Sequence, residues 1–257
     1  MAEKIREVAE KAIGTSGAGL KDVLVELLDA IKGAEVSDYV KVLKESPDLL
    51  MKGISKVGEG MGVLSPKDVI SPIKDSTPAI LDKVKEYGIE KFVSEVPEIA
   101  DKFPDLIGAM DEMVKGIDAE KWTEYGKEFK DLVLGLFPVI NEGLPAVRKA
   151  NKDVDDVFNK IKGAKVTLGM NLIEMGWGFK AKFDGGKITL EEGLEDTDLT
   201  LLLPSASQLE MIDVAMTGNM SAAMKAFTTG KIKIKGAMMR GAALMPLFSA
   251  MGKLTKK

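Results

Sequence analysis

Carboxylates, ammonium and guanidinium groups, hydroxyls and three tyrosines are all that this sequence offers for chemistry, because its 257 residues include neither cysteine nor histidine. Thiol nucleophiles, disulfides, zinc ligation by sulfur or imidazole and histidine-based proton transfer are thereby excluded. Three groupings of the remaining residues have a spacing with a chemical reading. Gly14-Thr-Ser-Gly17-Ala-Gly19 is glycine-rich enough to cradle a phosphate. No strand precedes it, however, and Leu20-Lys21-Asp22 does not complete a phosphate loop, so a turn between helices is expected. Asp153, Asp155 and Asp156 begin like a calcium loop but lack its later ligands, and at the start of a helix they would favour its dipole instead. Glu191, Glu192, Glu195, Asp196 and Asp198 form an acidic run that reads as a solvated loop ahead of a set of catalytic carboxylates. The expectation is a protein that is not an enzyme, with no cofactor and no metal.

Composition then sets the class. With 45% hydrophobic and 30% charged residues the chain reads as globular, and its length suffices for two ordinary domains. The net charge of −4 conceals an asymmetry. Residues 160–257 hold 14 Lys and Arg against 9 Asp and Glu, a net of +5, which leaves 22 basic and 31 acidic residues, a net of −9, for residues 1–159. Opposite signs favour docking of the halves on each other, or of the basic half on an anionic lipid surface. Aromatics make up only 5% and do not interleave with arginines, so no nucleic-acid partner is expected. The first twenty residues lack the apolar core of a signal peptide, and no stretch approaches the roughly 20 apolar residues that span a bilayer. A cytoplasmic location is the expectation.

To about Lys162 the hydrophobic period is helical. Lys21 to Lys32, for example, sets Val23, Leu24, Leu27, Leu28 and Ile31 on one stripe. Pro47, Pro78, Pro97, Pro104, Pro138 and Pro145 each precede an apolar pair and read as helix starts, where no amide donor is needed. The segment from Met61 to Pro78, dense in glycine and proline, reads as the least regular part. Trp122 and Tyr125 are expected to pack within this helical half.

From Lys165 the period becomes 2. Val166, Leu168, Met170 and Leu172 alternate with polar or small residues, as do Trp177, Phe179, Ala181 and Phe183, and the second run ends at Asp184-Gly185-Gly186, a hairpin signal. Lys187 to Glu191, Asp198 to Leu203 and Lys231 to Lys235 complete five strands, each with one apolar face, which describes a sheet covered on one side only. The cover is expected from helices over Ser205–Thr217, closed by Gly218, over Asn219–Thr228, and over Ala237–Met251, whose one charge is Arg240.

This order of elements, with Asp198-Leu-Thr-Leu-Leu-Leu, Met216-Thr-Gly-Asn-Met and Ala226-Phe-Thr-Thr-Gly-Lys-Ile-Lys-Ile-Lys-Gly, resembles the sterol carrier protein 2 domain over about residues 152–254. The resemblance implies an α+β domain over residues 151–257, a five-stranded mixed, largely antiparallel sheet covered on one face by helices. Before it stands an all-α domain over residues 1–150 with no assigned family. The resemblance further implies a lipid-binding module with an apolar tunnel for a fatty acid, acyl-CoA, sterol or isoprenoid. Its expected lining from the sheet is Phe179, Phe183 and Leu201, and from the first two helices Leu209, Ile212, Met216, Met220, Met224 and Phe227. The last helix would add Met238, Leu244, Leu247 and Met251, bending at Pro246 as a mobile cover. Ten of the fifteen methionines follow Lys160, and flexible thioethers suit an adaptable pocket as well as an irregular core. Peroxisomal relatives end in a targeting tripeptide, whereas Gly252-Lys-Leu is followed here by Thr255-Lys-Lys, so that address is not expected.

Two functions follow as expectations. One is the binding, with or without transfer, of a lipid or fatty-acyl ligand, with transient membrane contact. The other is an accessory or scaffold protein whose sheet domain is packed without ligand and whose helical domain recruits a protein partner or a second copy.

Overall fold

The structure, a computed structural model, describes residues 1–102, 104–105, 108, 117–217 and 220–254. Two compact units share them, Met1–Ile117 with Asp131–Ala150, and Asp118–Lys130 with Asn151–Lys257.

The first unit is helical: α1 Ala2–Gly14, α2 Gly19–Gly33, α3 Val36–Glu45, α4 Asp48–Val63, α5 Pro66–Tyr87, α6 Ile89–Glu95 and α7 Pro97–Asp101. The glycine-rich stretch after Gly14 is the turn between α1 and α2, with Gly17 at φ 63°. A reciprocal cap between Glu35 and Asp38 starts α3, and Ser65 caps α5 with Pro66 in its first turn. Ile5, Ala30, Val36, Tyr39, Val40 and Val96 join in one core cluster. Pro97 does begin a helix and Pro47 precedes one, whereas Pro72 and Pro78 lie inside α5. The Met61–Pro78 segment is therefore mostly helix, against expectation. An interior proline removes one amide donor and crowds the preceding turn, but α5 buries Val69 and Ile70 almost completely, and packing of the whole element outweighs the local preference. Pro138 and Pro145 likewise sit inside a helix over Lys130–Ala150, and Pro104 adjoins residues outside the described ones.

In the second unit, α8 Ala119–Glu128 is capped by Asp118, whose carboxylate accepts from the Lys121 amide at 2.8 Å. The Lys130–Ala150 helix, α9, begins where this unit ends, and α10 Lys152–Asn159 opens the unit's second segment. Asn151 caps α10, and Asp153 and Asp155 fall in its first turn, as the dipole argument expects. Strands β1 Lys165–Leu172, β2 Trp177–Asp184, β3 Lys187–Glu192, β4 Leu199–Leu203 and β5 Lys233–Gly236 form one sheet in the order β3-β2-β1-β4-β5. The pairings are antiparallel except β1 with β4, which is parallel. Register places Leu168 opposite both Ala181 and Leu199, and Met170 opposite both Phe179 and Leu201, so a single apolar face runs across β1, β2 and β4.

Helices α11 Ser205–Thr217, α12 Met220–Thr228, α13 Met238–Gly241 and α14 Met245–Leu254 follow β4 and β5. The expected Ala237–Met251 helix is broken by a 3-10 turn at Ala242–Leu244. Pro246 falls in the first turn of α14 and not at a bend, a position that needs no amide donor. The expected Lys231–Lys235 strand is paired only from Lys233, because the Ile232 amide bonds to the Ala226 carbonyl instead. The expectation that the second sheet face is simply solvated is also corrected. Lys180 on that face is 8% exposed, its ammonium donates to the Glu195 carbonyl at 3.1 Å, and Leu194 reaches over Gly169 and Gly178.

Trp122 and Tyr125, expected in the helical half, belong to this sheet unit through α8. Tyr125 is buried and stacked on Phe129, with ring centroids 6.0 Å apart. Burial first, and Glu124 second, push its phenol up to about 12 from 10.0. A raised phenol favours the neutral form in the fold, so the contribution is intact below pH 10 and is lost as pH rises from 10 to about 12. Urea denaturation across that window should show a loss on the order of 2 kcal/mol that is absent from the slope of Tyr125→Phe. An identical slope in the variant would assign the alkaline loss to other groups.

Candidate functional site

Strands β1, β2 and β4 turn their alternate side chains toward the helices, and this is where the expected lining residues from the sheet reside. Phe183 and Leu201 are buried there, and Phe179 is half-buried, its ring 6.0 Å from that of Trp177. Register sets Phe179 opposite Met170, Phe183 opposite Val166 and Ile188, and Leu201 opposite Met170 and Ile234. These side chains thus form one continuous apolar surface.

The helical side is built from four helices. Helix α11 packs on α12 and α14, and α13 packs on β1 and β4. At Gly241 an added Cβ would lie 2.9 Å from Leu199 Cδ1, so α13 rests directly on the sheet and a side chain there would lift it. Leu244 and Leu247 are buried, while Leu209, Ile212 and Phe227 are half-buried. Met216, Met220, Met224, Met238 and Met251 stand on helices with described backbone, and their side chains lie outside the described residues, as does Gly218 entirely. Leu168, Leu199 and Leu203, on the same face as the expected lining, belong with it by register, and their alternation is the signal that identifies them.

On the opposite sheet face lies a polar cleft of about 720 Å³. Its floor includes Lys165, Thr167, Lys182 and Thr189, and Asp198 and Arg240 contribute to its lining. Arg240 pairs with Asp198, whose carboxylate also accepts from the Thr167 amide at 2.8 Å. Lys182 pairs with Glu191 at 2.7 Å, and that bond holds the Glu191 carboxyl below its ordinary range. Glu192 meets Lys130 at 3.1 Å. Much of the acidic run is therefore engaged with cations, which differs from the solvated loop expected for it. Sequence spacing could not supply this, since the partners come from β2, α9 and α13. Among the described residues no group of three or more carboxylates is placed to hold a metal ion, and no helix is long and apolar enough to cross a membrane.

Comparison with known proteins gives one family match: residues 145–249 match the SCP-2 sterol transfer family, and residues 1–144 lie outside it. No curated protein matches. Among solved structures, one titled UbiJ-SCP2 ubiquinone synthesis protein is 13% identical, with 50% of this chain and 96% of that chain covered and a TM-score of 0.31. Another, the stereoselective inverting sec-alkylsulfatase Pisa1 from Pseudomonas sp., is 14% identical, with 86% of this chain and 31% of that chain covered and a TM-score of 0.30.

Proposed function

Because residues 145–249 carry the SCP-2 sterol transfer match, we propose that the sheet unit is a non-enzymatic lipid-binding module that holds one apolar ligand between its sheet and its helices. The observation that carries this reading is the unbroken apolar face of β1, β2 and β4, met by helices whose Leu209, Ile212 and Phe227 are only half-buried. A fatty-acyl, sterol or isoprenoid ligand would complete that layer. Each buried methylene is worth about 0.8 kcal/mol, so about ten of them supply roughly 8 kcal/mol before the loss of ligand freedom is subtracted. Transfer between membranes, and not storage alone, is the use proposed for such a site.

Native mass spectrometry of the gently purified full chain tests the reading, followed by binding assays with fatty acids, sterols and isoprenoids. The expected result is a copurifying lipid mass and saturable binding of at least one class. A chain that carries no lipid and binds none of the panel would overturn it.

A further inference from the structure

Helix α8 lies before the family match begins at residue 145, yet it packs on α11, the helix that carries Leu209 and Ile212. The contacts are specific. The Trp122 indole N–H donates to Gln208 Oε1 at 3.0 Å, and the Thr123 and Ser205 hydroxyls are 2.5 Å apart. The Trp177 indole N–H donates to the Gly126 carbonyl at 3.0 Å, and the buried Met175 side chain lies over Gly126, where a Cβ would meet it at 2.1 Å.

These bonds meet others on the first turn of α11. The Ser205 amide donates to Glu174 at 2.7 Å, the Gln208 side-chain amide donates to the Leu203 carbonyl at 2.8 Å, and the Ser207 hydroxyl donates to the Lys231 carbonyl at 3.1 Å. Ser205, Ser207 and Gln208 are all buried, so their partners matter more than those of surface groups. Among the described residues the buried polar anchoring of α11 thus gathers at residues 205–208, while Glu210 makes a more exposed pair with Lys231 at 3.1 Å, and the turns that bear Leu209 and Ile212 extend from that anchor. Residues on either side of α8, up to Ile117 and from Asp131, belong to the other unit, so α8 is covalently tied to that unit at both ends.

We propose that α8 is a latch. Trp122 and Thr123 are positioning residues that fix the first turn of α11, and the latch thereby sets how fast the apolar layer opens to release a ligand. The second clause rests on the lipid-binding reading; the first stands without it. In this arrangement the family-matched residues are an incomplete module without α8.

The test uses the full chain carrying Trp122→Phe together with Thr123→Val, compared with Trp122→Phe alone and with Thr123→Ser, which keeps the hydroxyl. Two quantities are read: amide hydrogen exchange over residues 205–214, and the dissociation rate of cis-parinaric acid. The double variant should exchange about tenfold faster at α11 while β1 and β2 are unchanged, and should release the probe about tenfold faster, with Thr123→Ser close to the parent. Unchanged exchange at α11, or equal acceleration throughout the sheet, would overturn the latch. Faster exchange at α11 with an unchanged probe dissociation rate would overturn the second clause, the control of ligand release. A parent chain that binds no probe would instead remove the lipid reading, and the exchange measurement would still decide whether α8 holds α11.

Discussion

Phe227→Asp and Met216→Lys, made singly, should each weaken binding of cis-parinaric acid by at least about a hundredfold. Phe227 is half-buried on α12, and Met216 is on α11, the helix that packs against α12 and α14. A carboxylate in an apolar layer without a cation beside it carries a desolvation cost of several kcal/mol, or is met by water that takes the ligand's place. Either outcome removes the surface that an acyl chain would bury. Aspartate in place of Phe227 also deletes a large apolar contact, so the thermal midpoint should fall by several degrees while the far-ultraviolet circular dichroism stays native. Lys187→Glu, on the polar side of the sheet, is the control and should leave the affinity unchanged. Full binding by both helix variants would move the ligand out of the layer between sheet and helices, whatever the fold.

The features of this layer that could be read from residue order were the ones that depend on local period. Alternation over Val166–Leu172 and Trp177–Phe183, with Asp184-Gly185-Gly186 between strands, gives β1, β2 and β3 to within a residue. Both Gly185 and Gly186 have positive φ, which is what makes that turn short. What the period cannot carry is which distant residue supplies the partner. The Trp122 and Tyr125 pattern is an ordinary amphipathic helix, and nothing in its spacing assigns it to Gln208 and Ser205, more than eighty positions later. Lys180 looked like a solvent-facing strand residue because its alternation is right; its burial comes from the loop carrying Leu194 and Glu195 folding back over the sheet. Proline was over-read in the same way. Pro78, Pro138 and Pro145 each satisfy a local rule for starting a helix, and the long apolar stripes of α5 and α9 overrule it. For the ligand layer, strand faces were legible and the break at Ala242–Leu244 was not, since three residues that are good helix formers give no local reason to stop.

Gly236→Ala should be the most damaging single methyl added to the sheet unit, with a loss of about 3 kcal/mol or more in urea denaturation. Two effects add at this position. Its φ of 96° is one that an L side chain rarely adopts, and an added Cβ would lie 2.4 Å from the Asp198 carbonyl oxygen, which is backbone and has little room to move. That carbonyl accepts the Ala237 amide at 2.8 Å, and the same residue's carboxylate accepts from Thr167 and pairs with Arg240. Displacing Asp198 therefore strains the β1–β4 and β4–β5 junctions together, and Leu199, which pairs with Gly236, sits under α13. Gly230→Ala separates the two effects. Its φ is 73°, but a Cβ there meets nothing within 4 Å, so only the backbone term of about 1 kcal/mol is expected. Hydrogen exchange should show β5 and α13 opening first in Gly236→Ala, with probe release accelerated in parallel if the helices over that end of the sheet close the ligand layer. Equal stability losses in the two variants would mean that Asp198 yields freely, and the junction at β4 would then be looser than its hydrogen bonds imply.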